Sequence, residues 1–107
     1  MKVPPSRKWN AWLDLMPVGS LALRVAGQVE TPASNHVPKL TEAEPQGFNP
    51  KFLILELDIV DTGDNGTQAF GYRDASFEKP AERDQYTHVE VRFHGSSVVL
   101  LEVSEAH

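Results

Sequence analysis

Residues 42–60 read EAEPQGFNPKFLILELDIV, a proline-bounded loop that runs straight into the most apolar segment of the chain. Over residues 52–60, Leu53, Leu55, Leu57 and Ile59 share one side, which is the pattern of a strand turning every second residue toward a core. The other side opens apolar with Phe52 and Ile54 and turns polar at Glu56 and Asp58. A strand that is apolar on both sides at one end needs cover on both sides there, so a central position is expected. The loop in front of it reads as a short ordered connection. Asn49 precedes Pro50 and is pushed toward extended geometry, and Gly47 can take the positive φ of a tight turn. Phe48 then has two fates: folding inward as the plug of the loop, or standing out as an anchor for a partner. A stiff loop loses little entropy on binding, which keeps the second fate in play.

Outward from this segment the same period recurs. In LALRVAGQVET, residues 21–31, Leu21, Leu23, Val25 and Val29 fall on one side. Gly27 lies on that side too, where a missing side chain marks a bulge or a close approach by a neighbouring element. Residues 36–44 carry Pro38, which lacks the amide hydrogen of a central ladder, so this strand belongs at an edge. Asn65-Gly66 is a hairpin signal, predicting that residues 67–73 return alongside the strand before them. Residues 74–85 show no clear period and read as a long loop. Residues 86–93 alternate, 94–97 turn, and 98–103 run back as a terminal hairpin, with Val98 and Leu100 making its last strand apolar on the second face.

The beginning of the chain is read differently. Trp9, Trp12, Leu13 and Met16 follow i, i+3, i+4, i+7 spacing, with Ser6 placed to cap and Pro17 placed to stop, which predicts a short amphipathic helix over one side of the sheet. A strand over residues 9–13 is the alternative. Residues 1–8, with Lys2, Arg7 and Lys8, read as a flexible solvated tail. The whole is an all-β single domain over residues 1–107, a compact antiparallel β-sandwich or small barrel of six or seven strands with one short N-terminal helix.

Composition narrows the function classes. The 107 residues give room for one core. Ten Lys and Arg against fifteen Asp and Glu leave a formal charge of -5, a mean field that repels nucleic-acid backbones and anionic lipid surfaces. With no cysteine there is no disulfide, no thiolate metal site and no cysteine nucleophile. The first residues contain no apolar run of signal-peptide or membrane-span length, so a cytoplasmic location is expected.

Catalytic and metal chemistry find no anchor in the spacing. His88 and His94 stand on one face of a strand but roughly 20 Å apart at strand rise, too far for one ion. Asp58, Asp61, Asp64 and Asn65 fail the helix-loop-helix calcium pattern, because Gly63 and Tyr72 fall where ligands are needed. No nucleophile elbow, zinc-protease motif or phosphate loop is present. No catalytic residue, metal ligand or cofactor is therefore assigned.

The stretch Ala43-Glu44-Pro45-Gln46-Gly47-Phe48-Asn49-Pro50 followed by Leu53, Leu55 and Leu57 is joined by Trp12, Asp14, Met16-Pro17 and Gly27-x-Val29-Glu30. Together they resemble small bacterial proteins of similar length without known activity. The resemblance implies a stand-alone β domain and carries over no functional residue.

The expected function is a non-enzymatic module that binds a protein partner, a second copy of the chain included. Its surface would be the second apolar face, Phe52 with Ile54 or Val98 with Leu100. Trp9 and Trp12 either cap the core or line a binding patch. Two alternatives stand beside it. One is a small-ligand binder or modest enzyme with Trp12, Tyr72, Tyr86 or His88 in its pocket. The other is an inhibitor that presents the 46–49 loop, Phe48 foremost.

Overall fold

Period-two alternation organises almost every described part of the computed structural model, which covers residues 3–15, 21–63 and 70–106. Seven strands result: β1 (Ser6–Asp14), β2 (Ala22–Thr31), β3 (His36–Glu42), β4 (Phe52–Asp61), β5 (Gly71–Pro80), β6 (His88–Phe93) and β7 (Ser96–Ala106). They form one sheet in the order β3-β4-β6-β7-β1-β2-β5. The edge strands β3 and β5 lie against each other, so the sheet curls into a nearly closed barrel. Lys79 of β5 reaches Glu42 of β3 at 2.7 Å across this seam. The all-β small barrel is therefore as expected from sequence, with one change in its ladder. Two neighbouring pairs, β1 with β7 and β4 with β6, are parallel.

The barrel interior collects the alternating apolar residues. Leu23, Val25 and Val29 of β2, Leu53, Leu55 and Leu57 of β4, and Val89, Val91 and Phe93 of β6 are all buried. Each such side chain contributes about 1.5–3 kcal/mol when taken out of water. β4 lies between β3 and β6, as its two-sided apolar start demands, and β3 with Pro38 is an edge strand.

The N-terminal helix is not formed. Residues 6–14 are β1, with Ala11 and Leu13 buried in the core and Trp12 turned to the outer face. The helical spacing arose from Trp12, an outward side chain large enough to look like a core residue. Nor are residues 6–8 a tail: Ser6 pairs with Val29 and Arg7 with Gln28. A bulge between Arg7 and Asn10, with Lys8 at φ 57°, swings the Trp9 indole inward over Gly27. A Cβ on Gly27 would stand 2.3 Å from that ring, so the glycine is the space the tryptophan occupies.

Residues 71–73 do not return alongside β4 either, and residues 67–69 lie outside the described residues. β5 pairs along its full length with β2, from Ala22 opposite Pro80 to Thr31 opposite Gly71, while β4 pairs with β3 and β6. The Asn65-Gly66 turn itself lies outside the described residues. Residues 74–80, read as loop, belong to this strand. Ala75 is buried and Phe77 packs on the core, but Lys79 takes the inward position opposite Leu23 and hides the alternation.

Candidate functional site

The loop between β3 and β4 is held by one side chain. Gln46 Oε1 accepts from the Ile54 amide at 2.8 Å, and its Nε2 donates to the carbonyls of Ile54 at 2.9 Å and Ala43 at 2.8 Å. Its amide thus continues the ladder beyond Ala43, the residue where the main-chain bond to Ile54 ends the pairing of β3 with β4. On the far side the Lys51 amide donates to Asn49 Oδ1 at 2.9 Å, and the Phe52 amide to the Asn49 carbonyl at 3.1 Å. The Lys51 ammonium then reaches the Asp84 carbonyl, which ties the loop to the segment between β5 and β6.

This anchoring decides the fate of the apolar residues nearby. Gly47 does not take a positive φ; it lies against Ile54, whose Cδ1 would be 2.9 Å from a Cβ at that position. Ile54 is accordingly only 5% exposed, so the chain's own loop covers the second face of β4 there. Phe52 is half-buried and stacks on the His88 ring, with centroids 4.5 Å apart. Val98 packs against the core beside a register shift between β6 and β7, which leaves Leu100, at 54%, as the exposed member of the four. The plug is made by Gln46 and Gly47, and Phe48 is released from it. Its side chain stands fully in solvent, at 109% of its reference exposure.

The aromatics named from sequence are dispersed. Trp9 belongs to the core margin, its indole N–H donating to Ser6 Oγ at 2.9 Å. Trp12 borders a shallow hollow of about 220 Å³ on the outer face, beside Arg24 and Ser76. Arg24 there is fixed between Asp14 at 2.9 Å and Glu78 at 2.5 Å, a surface ladder that accounts for those charges. Tyr72 lies under the Arg7 guanidinium, 3.9 Å from its centroid.

Tyr86 and His88 do meet in one place, a cavity of about 330 Å³ at the same end of the barrel as the Phe48 loop. It exists because β7 outlasts β6. Glu102 pairs with His88, the first residue of β6, and from Val103 onward β7 is paired with β1. The gap has a floor of Leu13, Leu23, Ala81 and Val103. Four acidic residues, Glu82, Asp84, Glu102 and Glu105, also line it. No pairwise spacing in the sequence announces them. Glu82 and Asp84 come from an irregular segment and Glu102 and Glu105 from a strand end, and only the β6–β7 length difference brings them together.

The wall of the cavity is braced from behind. Lys79 Nζ lies 3.1 Å from the Tyr86 hydroxyl and pairs with Glu42, and these partners hold its pKa above the ordinary lysine value, the Glu42 hydrogen bond being the largest cause. Among the described residues no three His, Asp or Glu side chains converge as a metal site. No protein-family model, curated protein or solved structure matches the chain.

Proposed function

We propose that the protein is a binding module for another protein, and that Phe48 is the side chain it inserts into that partner. The observation that carries this reading is an aromatic ring left wholly in water at the tip of a loop that hydrogen bonds fix at Gln46 on one side and Asn49 on the other. Exposing a Phe ring forgoes about 1.5–3 kcal/mol that burial would return. A partner pocket recovers it, and a loop already ordered loses little further entropy on docking. Buried aromatic anchors of this kind dominate interface energetics.

The test is affinity capture from the source cell with wild-type and Phe48→Ala baits. The substitution removes a solvated side chain and leaves stability within about 0.5 kcal/mol. A protein retained by the wild type, lost by Phe48→Ala and kept by Leu100→Ala supports the reading; equal retention by all three baits refutes it.

A second reading, a small-ligand binder, is favoured by the cavity that Tyr86 and His88 share. Its volume lies at the lower end of the range for ligand sites, so it suits a compact group better than a large cofactor.

A further inference from the structure

The Phe48 loop and the cavity open at the same end of the barrel and are joined through the Lys51–Asp84 contact, so one partner segment can engage both. We infer that this segment is a basic peptide, which places a lysine or arginine side chain in the 330 Å³ cavity while its neighbours pack on Phe48. The inference rests on the Phe48 reading and deepens it by assigning the partner's chemistry.

Three separate features converge on that occupant. The floor is apolar, made by Leu13, Leu23 and Val103, and four acidic residues, Glu82, Asp84, Glu102 and Glu105, are among the rest of the lining. A lysine or arginine matches this gradient, since its methylene stem lies along apolar surface while its head stays with charge and water. The cationic side chains close to the cavity include Lys51, Lys79 and Arg83. Lys51 is engaged by the Asp84 carbonyl and Lys79 by Glu42 and Tyr86, while Arg83 lies 3.8 Å from Glu105, beyond hydrogen-bond range. Glu105 therefore has room for a closer donor.

The same charges decide against a second copy of the chain as occupant. Two such mouths face to face would bring Glu82, Asp84, Glu102 and Glu105 against their equivalents, and the chain as a whole carries -5. Like charges across an interface reject that pairing, whereas a basic segment is steered toward it.

The experiment is selection of a random dodecapeptide phage library on the intact protein, followed by affinity measurement of the selected peptides as synthetic, labelled ligands. The expected peptides are rich in Lys and Arg. They lose at least about tenfold in affinity against Glu102→Gln/Glu105→Gln and against Phe48→Ala, and weaken as salt is raised. No enrichment, neutral or acidic winners, or winners indifferent to the double glutamine variant would overturn the inference. Basic winners that need Glu102 and Glu105 but ignore Phe48→Ala would leave the cavity assignment standing and remove the Phe48 reading. Unchanged thermal melting of each variant certifies that a loss reports the site and not the fold.

Discussion

Gln46 and Gly27 are the residues on which the local architecture turns, and both act through space that a different side chain could not use. Gln46 is polar, sits between two turn formers and looks like ordinary loop, yet it supplies three hydrogen bonds to main-chain groups of β4 and its approach. Gln46→Ala leaves the Ile54 amide without that acceptor and is expected to cost about 1–3 kcal/mol, with faster hydrogen exchange at Ile54 read by NMR. Exchange as slow as in the wild type would mean the loop is held by something else. Gly27→Ala drives a methyl group into the Trp9 ring, and urea unfolding is expected to show a loss of about 1–3 kcal/mol with a shift in tryptophan emission. The importance of Gly27 was legible in its sequence setting, between two inward valines. The role of Gln46 was not, because a side-chain amide acting as a length of strand has no periodic signature.

At the level of elements, strands that face solvent on one side were legible and those with an intruder in the pattern were not. β2 and β6 alternate cleanly, and β4 does so past its start, where Ile54 is buried on the second face as its apolar character suggests. β1 was obscured by Trp12 on the outer face and β5 by Lys79 on the inner one. Both exceptions have testable consequences. If residues 6–8 are strand, deleting residues 1–8 strips the Ser6–Trp9 hydrogen bond and the pairing of Ser6 and Arg7 with β2, and the melting temperature falls by several degrees; a tail would be removed without effect. The Lys79–Glu42 pair closes the seam between β3 and β5. Because the folded state raises the Lys79 pKa, it holds the proton more tightly than the unfolded chain does. The stabilisation is fully present below the unfolded lysine pKa and is lost as pH rises through the folded value. Stability measured by denaturant titration should therefore decline with increasing pH in the alkaline range above about pH 10, and Lys79→Met should flatten that part of the profile.

Over the whole molecule, the all-β class, sandwich or small barrel, was written in the sequence and the strand order was not. Alternation tells a strand which face is inward but says nothing about which strand lies beside it. The expected β4–β5 hairpin gave way to β5 lying along β2, and the parallel β4–β6 pair joins segments with β5 between them in sequence. That order is what makes a site: it leaves β7 longer than β6, opens the acid-lined cavity at the step, and sets it beside the Phe48 loop. The proposed binding surface is thus a property of topology, assembled from five separate stretches whose spacing in the chain is uninformative.

On the proposed reading a loop pinned by Gln46 presents Phe48, ready-made, to a protein partner. Isothermal calorimetry of the partner captured by the wild type, titrated against wild type, Phe48→Ala and Gln46→Ala, tests it most directly. Phe48→Ala is expected to weaken binding by about 2 kcal/mol or more. Gln46→Ala should weaken it with a more unfavourable binding entropy, because the loop must then be ordered on docking. Equal affinities for all three proteins would mean that neither Phe48 nor the order of its loop serves the partner.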